Sequence, residues 1–243
     1  MYRLAVGLFF ILTLLSCTFT TQPAKSELVV CINFDDNSSS VMENALPIMQ
    51  EYGFRASMFV NSGRVGNQTR LTWQQLQELK NIYGWEIGGH TINHVNLATQ
   101  TPEEAEYSIK ADYDSLKAYG FHPTSFATPF GYCPISYYPI ILRYYRNIRT
   151  CFDTAMLAPV DRTMVGSMSV INTMNPRIVA NRIKQAVIER ENLVVLLFHE
   201  VTDGTASYAS TYTTQDFAEV MRLIHKMGVT VLPLDEALNY LNE

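Results

Sequence analysis

Short apolar runs alternate with amphipathic stretches from residue 28 to residue 243. The runs LVVCINF (28–34), RASMFV (55–60), WEIGG (85–89), SFATPF (125–130), IRTCFDT (148–154), LVVLLFH (193–199) and VTVLPL (229–234) have the length and residue types of strands. Between them, VMENALPIMQEY (41–52), TWQQLQELKNIY (72–83), PEEAEYSIKADYDSLKAY (102–119), ISYYPIILRYYRN (135–147), NPRIVANRIKQAVIER (175–190) and TTQDFAEVMRLIHKM (213–227) carry helical periodicity. Thr72 and Thr101 are placed to cap helix N-termini, Pro102 suits a first turn, and Gly53, Gly120 and Gly228 fall near helix ends.

Strands that alternate with helices build parallel sheets, either closed into a barrel or doubly wound. The polar residues favour the barrel. Asp35 and Asp36 follow the first strand, His90 follows WEIGG, Pro129 and Phe130 end SFATPF, and His199 ends LVVLLFH. Every one of these groups sits at a strand's C-terminal end, where barrels assemble their sites from separate loops. The expected fold is therefore a single-domain α/β structure, a deformed (β/α) barrel of about seven parallel strands.

The 243 residues suit one large core, and 47% hydrophobic with 17% charged content excludes disorder. A net charge of −5 gives no basic surface for nucleic acid. Residues 1–17, MYRLAVGLFFILTLLSC, read as a signal peptide, because the apolar run is short for a membrane span. LLSC resembles a lipoprotein signal in which Cys17 would carry the lipid, and simple secretion is the alternative. Residues 18–27 then form a linker to a domain spanning 28–243. Of the remaining cysteines, Cys31 fits a buried apolar position, and Cys133 and Cys151 can pair if the fold brings them together.

The two adjacent carboxylates of Asp35 and Asp36 repel unless matched by cations, protons or solvent. His90 and His94 would share one face if GGHTINH enters a helix, and a carboxylate beside them would complete a three-ligand site with an open position. The bland reading is a turn, two surface histidines and a hydrogen-bonded His199.

Taken together, NFDD (33–36), HTINH (90–94) and LLFH (196–199) resemble, in order, the motifs of the polysaccharide deacetylases that carry the NodB homology domain. The resemblance runs from about residue 28 to the end and implies a metal-dependent hydrolase. It assigns Asp36, His90 and His94 to a divalent metal, zinc first, with cobalt or nickel as substitutes. Asp35 would be the general base and His199 the general acid. Pro129, Phe130, Gly131 and Tyr132 would border the substrate and supply an oxyanion N–H, and Thr91 would steady the metal loop. Tyr132 and Tyr208 are the expected sugar contacts among Tyr132, Tyr137, Tyr138, Tyr208 and Tyr212. His122 and His225 are given no chemistry.

The expected reaction is removal of N-acetyl, or O-acetyl, groups from an extracytoplasmic polysaccharide. The partner is an acetylated glycan, and the only membrane link is the anchor at Cys17. Two departures matter. Asn33 replaces the family's Thr, and Ala127 stands where many members have an Arg that orients the base. A late Asp-x-x-Asp-Trp motif has no counterpart between Cys151 and Leu193, and no replacement for the Arg is evident. FATPFG resembles branches without that Arg, among them deacetylases of exported β-1,6-linked N-acetylglucosamine polymers. The alternatives are a weak or inactive metal- and glycan-binding relative, and a small-amide hydrolase.

Overall fold

The computed structural model describes residues 28–243. The expected signal peptide, Cys17 and the expected linker lie outside the described residues. In chain order the elements are β1 (Val29–Phe34), α1 (Leu46–Glu51), β2 (Ser57–Val60), α2 (Trp73–Asn81), β3 (Glu86–Gly89), α3 (Pro102–Ala118), β4 (Ser125–Ala127), α4 (Tyr138–Ile141), β5 (Asn147–Arg149), β6 (Met168–Ser169), α5 (Pro176–Glu189), β7 (Leu193–Phe198), β8 (Glu200–Thr202), β9 (Thr211–Thr213), α6 (Thr214–Met227), β10 (Thr230–Val231) and α7 (Leu234–Asn242).

The parallel sheet runs β5-β4-β3-β2-β1-β7-β6, with β10 also pairing with β1. It curls into an incomplete barrel, the expected fold. A parallel bridge between Arg149 and Val165 ties the β5 edge to the segment leading into β6. The alternation along β1 explains the layers. Val30, Ile32 and Phe34 pack outward with α-helical residues such as Met49, Leu76, Ile183 and Phe217. Val29 and Cys31 point into the barrel with Phe59, Ala127 and Val195, and Leu234, Leu238 and Leu241 of α7 close the floor beneath them.

Thr72 and Thr101 each form a reciprocal cap with the side chain three positions on. The 135–147 stretch is helical only as far as Ile141, through a short turn at Ile135–Tyr137 and α4 with Pro139 in its first turn, after which the chain extends again into β5. Strands β6, β8 and β9 and helix α7 are additions to the pattern expected from sequence. All three strands are too short to show periodicity, and α7 starts directly after Pro233. Among the described residues no helix is long and apolar enough to cross a membrane.

Candidate active site

Strand β1 delivers Asp35 and Asp36 to the upper rim. The Asp35 N–H continues the strand ladder by donating to the Phe198 carbonyl at 3.0 Å. The chain then reverses through left-handed backbone at Asp36 (φ 68°) and Asn37 (φ 42°), which turns the two carboxylates in different directions. Asp35 points inward and is buried, whereas Asp36 is partly exposed.

Beneath Asp35 lies Arg149, fully buried at the end of β5. Its Nη2 donates to both carboxylate oxygens of Asp35, at 2.5 and 2.6 Å. The guanidinium lies 5.1 Å above the Phe59 ring centroid, and its Nη1 is 3.4 Å from the Cys151 sulfur. Burial alone pushes the Asp35 carboxyl up, but Arg149, then His90 and His199, overcome this and hold it below the usual range. Arg149 also accounts for the loss of an arginine at Ala127. The two residues are direct register partners on β4 and β5, so their side chains emerge side by side into the barrel. The cation on β5 reaches the Asp35 carboxylate from one strand over.

Strand β3 ends at Gly89, and His90 follows it. The expected helix over His90–His94 does not form: the segment is a tight loop with left-handed backbone at Thr91 (φ 62°) and His94 (φ 56°). The two imidazoles meet through this loop geometry, with ring centroids 4.9 Å apart. The Asn61 amide holds the loop by donating to the carbonyls of His90 and Thr91. The Thr91 hydroxyl accepts from the Val95 N–H, steadying the turn from within. His90 Nδ1 donates to the Ala127 carbonyl at 2.8 Å, which turns Nε2 toward the carboxylates.

His90 Nε2 lies 3.7 Å and His94 Nε2 3.4 Å from Asp36 Oδ1. Ligand atoms of all three residues fall within 4.8 Å of one another. Asp36 Oδ1 is buried and makes no hydrogen bond, the state of an atom reserved for another partner. Burial, then the neighbouring His90, lowers His94 to about 4, so its ring is neutral and available as a ligand at physiological pH. Two imidazoles and one carboxylate, one imidazole fixed by a backbone carbonyl, fit a zinc-type site with a position left over.

The loop after β4 forms the adjacent wall. Phe130 is left-handed (φ 58°), 65% exposed, and its ring centroid stands 4.6 Å from that of His94. Gly131 is left-handed as well (φ 71°), and a Cβ there would lie 2.3 Å from that of Cys151, so only glycine fits. The amides of Gly131 and Tyr132 are engaged by the carbonyls of Thr128 and Pro129. Tyr132 and Tyr208 are exposed, as expected for sugar contacts. Tyr212 is not: it is buried and donates to the Met174 carbonyl. Tyr137 is tied to the Gln100 carbonyl. His199 ends β7 close enough to Asp35 to lower its pKa. Among the described residues, the histidine–carboxylate pairs within 4.0 Å involve only His90 and His94, so no carboxylate pairs directly with His199, in keeping with the absent Asp-x-x-Asp-Trp motif. Cys31, Cys133 and Cys151 are free thiols, so Cys133 and Cys151 do not pair.

Sequence reasoning missed Arg149. The available signal was an arginine inside IRTCFDT: a cation in an otherwise apolar strand needs a buried anion.

Comparison with known proteins places the chain in a family. The family model for polysaccharide deacetylase matches residues 22–144, and the chain belongs to that family. The YxkH protein of Bacillus subtilis (strain 168) is 33% identical over 107 residues, covering 44% of this chain and 38% of its own length. A poly-β-1,6-N-acetyl-D-glucosamine N-deacetylase of Staphylococcus aureus (strain MRSA252) is 32% identical over 99 residues, 37% of this chain and 34% of its own length. The matched region thus spans little more than a third of these curated relatives. In fold, the chain resembles the Xyl-CE4 domain of a multidomain xylanase from the hindgut metagenome of Trinervitermes trinervoides, with a TM-score of 0.63 at 17% identity over 88% of this chain and 91% of that one. A family 4 acetyl xylan esterase from Clostridium thermocellum, in complex with a cobalt ion, gives 0.60 at 20% identity over 87% and 91%.

Proposed function

We propose that the chain is a metal-dependent hydrolase that removes acetyl groups, N-linked foremost and O-linked as the second case, from an extracytoplasmic polysaccharide. The observation that carries this reading is the division of labour between the paired aspartates: Asp36 joins His90 and His94, while Asp35 is held apart by Arg149. Asp36, His90 and His94 would hold a divalent ion, zinc first, with cobalt or nickel as substitutes. When bound, such an ion supplies Lewis acidity that polarises an acyl oxygen and lowers the pKa of water toward about 7.

The chain's own groups divide the remaining work. Asp35, kept ionised by Arg149, is the general base that takes a proton from the attacking water. His199 donates a proton to the departing amine or alcohol. With the Gly131 and Tyr132 amides already engaged, the Phe130 N–H is the loop's candidate donor to the oxyanion. Pro129, Phe130, Gly131 and Tyr132 form the wall against which the sugar rests, Tyr208 is a second sugar contact from the loop after β8, and Thr91 keeps the ligand loop in its turn. A glycan-binding protein without turnover would not need a guanidinium dedicated to Asp35, which favours the enzyme.

The polysaccharide N-deacetylase of Staphylococcus aureus makes an exported, acetylated amino-sugar polymer the first substrate class to test. The experiment is acetate release from N- and O-acetylated glycans by residues 28–243, with zinc or cobalt, with chelator, and with Asp35→Asn. Metal-dependent release that the substitution abolishes is expected. Tight metal binding with no release from any glycan would overturn the enzymatic reading in favour of a binding protein.

A further inference from the structure

The ligand loop is gripped from behind by a residue that belongs to none of the motifs. Asp112 lies in the middle of α3 and is completely buried. Its Oδ2 accepts from the His90 N–H at 3.0 Å, sharing that N–H with the Val60 carbonyl of β2 at 2.9 Å, and its Oδ1 accepts from the Ser62 N–H at 2.8 Å. One turn earlier on the same helix, the Ser108 carbonyl accepts from the Ile92 N–H at 3.1 Å. The two N–H groups flanking the left-handed Thr91 are therefore both held by α3, while Asn61 holds the carbonyls of His90 and Thr91 from the β2 side.

This grip depends on close approach. A Cβ at Gly89 would lie 2.1 Å from the Tyr145 hydroxyl oxygen and 2.9 Å from Asp112 Oδ2, so β3 can reach the helix only because residue 89 is glycine. Among the described residues no cation forms an ion pair with Asp112; both oxygens are committed to backbone N–H groups. A carboxylate buried for structure alone would ordinarily be matched by a cation or replaced by an apolar residue. Here its two acceptors span two separate loops and fix one metal-ligand residue at its backbone.

We infer that Asp112 is a positioning residue for the metal-binding loop, joining the β2 loop at Ser62 to His90 so that the imidazole is aimed before any ion arrives. The inference rests on the metal site proposed above. Asp112→Asn keeps the volume but turns one of the two acceptors into an NH2 group facing an N–H. The measurement is titration of the metal-free protein with zinc, followed by the absorption spectrum with cobalt, beside the melting temperature of the metal-free form.

Zinc affinity should weaken by about 10–100-fold, the usual effect of removing a group that orients a ligand. The cobalt spectrum should change, and kcat should fall more than KM rises. Unchanged affinity and spectrum with a lowered melting temperature would make Asp112 merely structural and overturn the inference. If Asp112→Asn does not fold, hydrogen exchange in the metal-free wild type decides. The Ser62 amide, whose acceptor is Asp112, should be protected like those of the barrel strands, and exchange at exposed-loop rates overturns the inference. A wild-type chain that binds neither zinc nor cobalt would instead sink the functional reading itself, before any variant is made.

Discussion

Arg149 Nη2 meets both oxygens of Asp35 inside the barrel, from a strand that carries no family motif. The pair is fully enclosed, so each charge depends on the other. Removing one partner of such a pair costs about 3–5 kcal/mol of stability. Arg149→Met should therefore lower the melting temperature and cut kcat by about two orders of magnitude, because Asp35 loses its orientation and drifts upward in pKa. The swap Ala127→Arg with Arg149→Ala should recover part of both losses, since the two positions are register partners. A swap no better than Arg149→Ala alone would show that the guanidinium cannot reach Asp35 from β4.

Metal binding should be visible as stabilisation. At a zinc concentration about 100 times Kd, mass action adds about 2.7 kcal/mol to the folded state. Differential scanning calorimetry of the metal-free protein should show a rise in melting temperature with added zinc. The rise should vanish in His94→Ala, whose ring supplies one of the three clustered ligand atoms. A rise that survives this substitution would place the ion elsewhere.

Glu86 at the barrel floor predicts a pH dependence of the opposite sign from Asp35. Burial raises the Glu86 carboxyl, even though Ser57 and the Asp235 N–H donate to it. Its contribution to stability is thus fully present below the unfolded pKa of about 4.3 and is lost as pH rises through the higher folded value. Asp112, pushed by burial to about 7, acts in the same direction. Denaturant unfolding from pH 4 upward should show Glu86→Gln losing less stability than wild type as pH rises, with the Asp112 share of the slope intact. Parallel curves would mean that Glu86 stays ionised.

Phe130 separates substrate contact from folding. Its side chain is mostly exposed, so truncation removes little buried surface. Phe130→Ala should leave the melting temperature within about 2 °C of wild type, because surface substitutions are usually within about 0.5 kcal/mol. KM for the glycan should rise severalfold. An unchanged KM would remove this ring from the substrate wall.

The barrel is legible in the sequence because the seven longer apolar runs alternate with helices and place polar groups at strand ends. The ligand set is legible because Asp36, His90 and His94 sit in short motifs. The loop that joins the histidines is not. A spacing of four residues suggests a helix, whereas Asn61, Ser108 and Asp112 impose left-handed backbone at Thr91 from distant parts of the chain. Arg149 is hidden for the same reason: its partner is 114 residues away, and only strand order reveals that β5 follows β4 at the barrel wall. Tyr212 departs from expectation because the sequence places it in a loop region, while β9 buries it.

The side-by-side emergence of Ala127 and Arg149 also bears on how relatives are sorted. A comparison by aligned positions would count this chain as having lost its arginine and group it with degenerate members. Counting by location inside the barrel gives the opposite grouping, because the destination of the guanidinium is fixed while its point of attachment is free to shift between neighbouring strands. A lineage that exchanged one anchor for the other would leave the carboxylate its cation throughout, so relatives are better sorted in three dimensions than along the chain.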